Sequence, residues 1–150
     1  MILKKSKTKW IDVKGFDGVK VKIDYSSPEQ EEDLREIMFQ MIYNNPNIGR
    51  KEIEYVVLTS EQKAKENRIA EKLAKLRIRY QVKDWAGVTD DDGNDVPIKI
   101  VNNMIDKDLF DGFIGNFEYV PLISLGKVIQ DETEFNESDK KKLSSEESAS

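Results

Sequence analysis

The sequence predicts an α+β fold in which an N-terminal β-hairpin precedes a mainly helical body and a disordered acidic C-terminal tail. Three observations support this class: a period-two alternation near the N-terminus, two capping-box sequences before helical repeats, and a change of composition after residue 130. With 150 residues, 38% of them hydrophobic, the chain is long enough for one core. We therefore assign residues 1–130 to a single globular domain and residues 131–150 to the tail.

The N-terminal hairpin is predicted from residues 9–25. Between residues 19 and 25, apolar side chains alternate with Lys20, Lys22 and Asp24, so one face of this strand is apolar and the other is charged. That alternation is typical of a half-buried strand. Residues 9–13 are the predicted partner strand, and glycines at positions 15 and 18 mark the turn between the two.

Two helices carry signals at their first turns. Ser27 is an N-cap candidate, Pro28 stands at the first helical position, and Gln30 completes a capping box. Thr59 and Gln62 form a second capping box before residues 60–76, which are rich in helix-forming side chains. In the first helix, apolar residues recur at the spacing of one helical face: Leu34, Ile37, Met38, Met41 and Ile42.

The remaining segments carry mixed signals. Residues 48–59 predict a short strand or a loop. Residues 78–82 alternate as a strand does, although Tyr80 also shares a helical face with Ile69, and we favour the strand. Pro97 precedes apolar residues at 98, 101 and 105, which favours a helix over residues 97–105. One or two further short helices are expected over 109–114 and 120–129.

The last 20 residues differ in composition from the rest of the chain. They hold seven acidic residues against three lysines, and Phe135 and Leu143 are their only large apolar side chains. Such a segment buries too little apolar surface to offset the entropy lost on ordering. We therefore predict that residues 131–150 are disordered.

Composition argues against several classes of function. No apolar run exceeds the four residues 55–58, so we expect no membrane span, and the basic start lacks the apolar stretch of a secretory signal. The chain has no cysteine and no histidine, which removes disulfides, thiol nucleophiles and the commonest general base. A net charge of −5 disfavours nonspecific nucleic-acid binding. We expect a cytoplasmic, non-catalytic protein that needs no cofactor, binds another protein and has the option of self-association.

The stretch VKDWAGVTDDDGNDVP, residues 82–97, places five aspartates and two glycines around one tryptophan. An EF-hand loop with Gly93 at its sixth position would have Val88 and Lys99 in place of its first and last ligands. Aspartate, asparagine and glycine are also the residues preferred in tight turns, and we favour a turn. The alternative is a looser divalent-cation site that uses four neighbouring oxygen ligands: Asp90, Asp92, Asn94 and Asp95.

Two sets of apolar side chains are candidates for a binding role. Trp85 is either an exposed anchor for a partner or a core residue, and its place at the end of an apolar alternation favours the core. The stripe Met38, Met41 and Ile42 lines either a ligand groove or the core, and the core is again favoured. Asp84, beside Trp85, is the aspartate expected to be partly buried.

An acidic tail with Ser and Lys follows two stretches of the chain, VKVKIDYSSPEQEEDL and VKDWAGVTDDDGNDVPIKIVNNMI. Together, these segments resemble the small tail-assembly chaperones of long-tailed bacteriophages and related short prophage tail proteins. The resemblance covers residues 19–45 and 78–114. Val96, Ile98 and Lys99 stand where the family usually has proline or threonine. The family segment V-x-D-W-x-G-[LV]-x-D-x-D-G, with a following Pro and Asn, is matched by Val82, Asp84, Trp85, Gly87, Val88, Asp90, Asp92, Gly93, Pro97 and Asn102.

This resemblance implies a non-enzymatic protein that binds the tape-measure protein, keeps its helices soluble and helps recruit tail-tube subunits in the bacterial host cytoplasm. An apolar groove lined by Met38 and Met41 would hold the partner, with the Trp85 loop as scaffold or rim. Two alternatives stay open. One is a structural tail-completion or connector component of the virion, and the other is a divalent-cation-binding module or enzyme built on residues 90–95.

Overall fold

A computed structural model describes residues 8–134 of the chain. The predicted α+β class, with an N-terminal hairpin before a mainly helical body, is confirmed. The part of the predicted tail that covers residues 135–150 lies outside the described residues. The elements are β1 (Lys9–Asp12), β2 (Lys20–Ile23), α1 (Pro28–Asn44), a 3₁₀ helix (Glu52–Glu54), α2 (Ser60–Gln81), β3 (Val82–Ala86), β4 (Ile100–Val101), β5 (Met104–Ile105), α3 (Lys107–Ile114) and α4 (Tyr119–Thr133).

Strands β1, β2 and β3 form an antiparallel sheet with β2 in the centre. Val21 of β2 lies opposite Ile11 on one side and opposite Trp85 on the other, and it is fully buried. Lys20 and Lys22 alternate with it and occupy the other face of the strand. The period-two pattern therefore predicted both the strand and the face that enters the core.

Both predicted capping boxes form. The Gln30 N–H donates to Ser27 Oγ at 3.2 Å, and the Ser27 N–H donates to Gln30 Oε1 at 3.1 Å. In the second box, the Gln62 N–H donates to Thr59 Oγ1 at 3.1 Å, and the Thr59 N–H donates to Gln62 Oε1 at 2.8 Å. Each pair provides partners for N–H groups at the start of a helix, which have no acceptor within the helix itself. The starts of α1 and α2 are therefore fixed by local chemistry.

The strand favoured over residues 78–82 is wrong, because α2 continues to Gln81 and β3 begins only at the next residue. The last helical turn is held by tertiary contacts. The Tyr80 hydroxyl donates to Asp33 Oδ2 of α1 at 2.8 Å, and the buried Gln81 amide donates to Thr133 Oγ1 of α4 at 2.8 Å. These contacts to α1 and α4 stabilise a helix over residues 78–81, although the local alternation of apolar and polar residues favours a strand.

The helix predicted over residues 97–105 is also wrong. Strands β4 and β5 form a hairpin there, and its turn residues Asn102 and Asn103 have positive φ values of 53° and 61°. Asparagine adopts this left-handed conformation more readily than most residues, and two such residues in succession suit the twist of a tight hairpin. The hairpin places Ile105 in the core with no exposed surface, so the apolar positions serve strands rather than a helical face.

The short helices predicted in the C-terminal half are confirmed as α3 and α4. Helix α4 packs closely on α2: a β-carbon added at Gly126 would lie 2.9 Å from that of Ala74. Disorder was expected from residue 131, but α4 continues to Thr133, whose hydroxyl donates to the Ile129 carbonyl at 2.7 Å. The predicted boundary is therefore too early, because the buried Thr133 is anchored to α2 through Gln81.

The hydrophobic core lies between the sheet and helices α2, α3 and α4. None of the helices described within residues 8–134 is long and apolar enough to cross a membrane. The buried members of the core are Val13, Val21, Ile23, Ala74, Ile78, Val82, Trp85, Ile105, Phe110, Phe113, Leu122, Leu125 and Ile129.

Candidate protein-binding surface

Trp85 is a core residue, as the sequence favoured. It is 7% exposed, its ring stacks on Phe113 with a centroid separation of 5.1 Å, and its Nε1 donates to the Val96 carbonyl at 2.7 Å. That hydrogen bond joins β3 to the far end of the loop of residues 87–96, which we call the aspartate loop. The alternative of an exposed anchor is therefore wrong: burial removes Trp85 from the surface and makes it part of the scaffold.

The aspartate loop is a tight turn, as predicted. Asp90 Oδ1 accepts hydrogen bonds from the N–H groups of Asp92 and Asn94, both at 2.9 Å, and Gly93 has a φ of 80°. This is the side-chain-to-backbone pattern for which aspartate is preferred in turns. Among residues 8–134, no group of three or more carboxylates comes close enough together to hold a metal ion. The loop aspartates serve the backbone or point into solvent.

Gly87 brings the motif against the N-terminal hairpin. Its φ is 81°, and a β-carbon there would meet the Gly18 carbonyl group, 2.8 Å from the carbonyl carbon. Only glycine combines that dihedral with so close a backbone approach. Asp84 is half-buried, as expected, and accepts the Trp85 N–H at 2.8 Å. Pro97 is exposed where the chain leaves the loop.

Three groups around the end of α2 have pKa values shifted by burial, and two of them, Tyr80 and Lys83, hydrogen-bond to residues outside their own elements. Burial, then the hydrogen bond to Asp33, raises the pKa of Tyr80 to about 12. Burial lowers the pKa of Lys83, which donates to the Asn103 carbonyl and Oδ1 at 2.8 and 2.9 Å, and burial also lowers the pKa of Arg77. Burial is the largest cause of all three shifts.

The stripe Met38, Met41 and Ile42 lies at the edge of the core. Met38 and Met41 are half-buried, whereas Ile42 is 43% exposed. The favoured core assignment is therefore wrong for Ile42. Leu34 and Ile37 take the buried positions of α1, which packs on α2, and exposure of the apolar face increases towards the end of the helix. Ile42 is the first residue of a larger exposed region.

An apolar surface extends from the end of α1 through the connection to α2. Three of its side chains, Tyr43, Ile53 and Val57, are 86%, 93% and 88% exposed. Single exposed apolar residues are ordinary, whereas seven of them within residues 42–57 mark this segment as a candidate interaction site. We define the apolar surface by seven residues: Ile42, Tyr43, Ile48, Ile53, Tyr55, Val56 and Val57.

Sequence reasoning missed this surface, and the signal that was available is the unbroken apolar run 55–58 between polar segments. The structure confirms the loop alternative for residues 48–59, with a single turn of 3₁₀ helix. Asn47 holds the loop in shape: its Nδ2 donates to the Val56 carbonyl at 3.1 Å, and its Oδ1 accepts the Val56 N–H at 2.8 Å. The apolar side chains are therefore displayed on an ordered backbone.

The motif and the apolar surface lie at opposite ends of α1. Gln30, in the first turn of α1, donates to the Asn103 carbonyl at 2.8 Å, and Lys83 of β3 donates to the same carbonyl. The apolar surface begins in the last turn, and a helix of 17 residues is about 25 Å long. The motif strand is therefore scaffold, and the rim position considered for the Trp85 loop is distant from the apolar surface.

Comparison of the chain with protein-family models, with curated proteins and with solved structures finds no match. The resemblance to tail-assembly chaperones thus rests on the two sequence stretches and the acidic tail alone. Four of the motif residues, Trp85, Gly87, Asp90 and Gly93, shape one bend in this structure.

Proposed function

We propose that the chain is a tail-assembly chaperone of a long-tailed bacteriophage. It would act as a non-catalytic module in the host cytoplasm, hold apolar helices of the tape-measure protein in solution and help recruit tail-tube subunits. The observation that carries the proposal is the apolar surface, whose seven exposed side chains lie in the last turn of α1 and in the loop that Asn47 and Val56 close. The motif resemblance supplies the identity of the partners.

The apolar surface suits an amphipathic helix as its ligand. Such a helix binds by burying its apolar stripe, and each large side chain removed from water contributes about 1.5–3 kcal/mol before the costs of association. Tyr43 and Tyr55 add aromatic area, which is enriched at sites that dominate binding. Half-buried Met38 and Met41 border this region and supply flexible side chains that adapt to different partner sequences.

Co-expression with the tape-measure protein of the same phage tests the proposal. The wild-type chain should yield a soluble complex, and a triple serine variant of the apolar surface should lose at least about 10-fold in affinity, which corresponds to about 1.4 kcal/mol. A matched variant removes three exposed valines elsewhere and should bind as the wild type does. Failure of the wild type to co-purify, or equal loss in both triples, would refute the proposal. The surface variant is Tyr43→Ser, Ile53→Ser and Val57→Ser, and the control is Val101→Ser, Val120→Ser and Val128→Ser.

A further inference from the structure

Helix α2 carries a stripe of cations beside a recess. Arg68, Lys72, Lys75 and Arg79 recur at i, i+4, i+7 and i+11, which places them on one helical face. With Glu71, Leu76 and Phe110 they line an open recess of about 410 Å³, which we call the basic groove.

The basic groove combines positive charge with an apolar floor. Glu71 pairs with Lys75 at 3.0 Å and offsets one of the four cations. The Arg79 guanidinium lies 5.8 Å from the centroid of the Phe110 ring, so the apolar floor and the charged rim meet at this end of the groove. A ligand that fits the groove has several carboxylates followed by one apolar side chain.

The outer face of α1 has that chemistry. Glu29, Glu32, Glu36 and Phe39 recur at i, i+3, i+7 and i+10, and all four are exposed. We call these residues the acidic stripe. It lies on the opposite side of α1 from the buried Leu34 and Ile37, so it is presented to solvent while α1 packs on α2.

We propose that the acidic stripe of one copy docks in the basic groove of a second copy, with α1 of one chain parallel to α2 of the other. The spacing of the charges supports this register. Glu29 and Glu36 are seven residues apart, as are Arg68 and Lys75, so both acids meet a cation when the helices are aligned. Phe39 then falls beside Arg79, at the recess floor.

The mixed lining favours a second copy over nucleic acid. A phosphate backbone would use the cations but neither the apolar floor nor the carboxylate of Glu71, and the chain carries a net charge of −5. Because the two docking surfaces differ, the contact is heterologous and repeats from copy to copy as a ring or an open chain. None of the residues involved belongs to the apolar surface, so this self-association stands apart from partner binding.

A charge-swap experiment tests the contact with the full chain and no partner. In low salt, light scattering across a concentration series should show the wild type assembling beyond the monomer. Glu32→Lys with Glu36→Lys, or Lys72→Glu with Lys75→Glu, should each weaken assembly by about 100-fold or more, since like charges then face each other. An equimolar mixture of the two variants should assemble beyond a pair, because the two native surfaces join one copy of each variant and the two reversed surfaces, now complementary, join these pairs to one another.

Controls separate this contact from other causes. Circular dichroism melting should show that both charge variants are folded, and Glu52→Lys with Glu54→Lys, outside both stripes, should assemble as the wild type does. A wild type that stays monomeric, a mixture that fails to assemble, or a groove that captures an RNA oligonucleotide while the chain stays monomeric would each overturn the proposal.

Discussion

Replacing Gly87 with alanine tests how the motif is fixed to the N-terminal hairpin. Gly87 and Gly93 both belong to the aspartate region, and their φ values are 81° and 80°. They differ in their surroundings. A β-carbon at residue 87 would meet the Gly18 carbonyl group, whereas one at residue 93 would have nothing within 4 Å. Gly93→Ala is therefore a matched control for the dihedral angle alone.

The expected magnitudes follow from that difference. An L side chain in the left-handed region costs about 1–2 kcal/mol, which applies to both variants. Alanine also lowers the conformational entropy of the unfolded chain, which stabilises the fold by about 0.4–1 kcal/mol in both variants and offsets part of that cost. At residue 87 the backbones of β3 and the hairpin turn must also separate, and overpacking of this kind costs about 1–3 kcal/mol. Gly87→Ala should therefore lose about 1–3 kcal/mol more stability than Gly93→Ala.

Urea titration measures this difference. Tryptophan fluorescence, to which the buried Trp85 contributes, and far-ultraviolet circular dichroism should report one transition, and its midpoint should fall further for Gly87→Ala at an unchanged slope. Equal losses of unfolding free energy in the two variants would refute the close approach of the two backbones, and with it the view that the motif glycine locks the bend to the hairpin.

Three further predictions concern the bend and the contact between α1 and α2. Trp85→Phe keeps a ring in the core but leaves the Val96 carbonyl without its donor, and should lower the free energy of unfolding in urea by about 1–3 kcal/mol. Asp90→Ala removes the acceptor of two backbone N–H groups and should cost about 1–3 kcal/mol, while calcium should leave the wild-type melting temperature unchanged. The pKa of Tyr80, raised from 10.0 to about 12, favours the protonated phenol in the fold, so its stabilisation is complete below pH 10 and lost as the pH rises towards 12. Tyr80→Phe should flatten this part of the stability curve.

Each of these outcomes has a clear opposite. Full stability of Trp85→Phe would mean that the loop does not depend on the indole hydrogen bond. A melting temperature that rises with calcium would restore the cation-site alternative, because a ligand that binds only the folded state stabilises it. If the unfolding free energy of Tyr80→Phe falls between about pH 10 and 12 as steeply as that of the wild type, the loss of stability belongs to other groups.

Local chemistry made part of the fold predictable. A capping box, a proline at the first helical position and a period-two alternation each depend on residues within four positions of one another. Ser27 with Gln30, Thr59 with Gln62, and the strand β2 were therefore read correctly. The turn at Asp90 belongs to the same class, because its hydrogen bonds reach only to Asp92 and Asn94.

The incorrect assignments depend on partners distant in sequence. The last turn of α2 is held by Asp33 and Thr133, 47 and 52 positions away from their partners, so no pattern within residues 78–82 contains the deciding contact. The hairpin at Asn102 had a local signal in its asparagine pair, but the preceding proline and a helical spacing of apolar residues pointed the other way. Buried Ile105 decides between them only once its surroundings are known.

The candidate binding surface was missed for a related reason. An apolar run does not specify whether it is buried or displayed, because hydrophobicity is a property of the residue and burial is a property of the assembled fold. Here the run 55–58 leaves the core because the loop is closed on itself by Asn47, through two hydrogen bonds to Val56, rather than paired with the sheet.

The placement of the apolar surface has a consequence for how binding and folding are coupled. Its side chains extend from the last turn of α1 into a connecting loop, while the core lies between the sheet, α2, α3 and α4. Exposed side chains such as Ile53 and Val57 contribute little to folding, since they lose little contact with water when the chain folds. Substitutions there should change affinity without changing stability, whereas substitutions at Gly87 should do the reverse. A chain that is to hold an apolar partner in solution benefits from this separation, because the surface is free to vary with the partner while the bend keeps the fold intact.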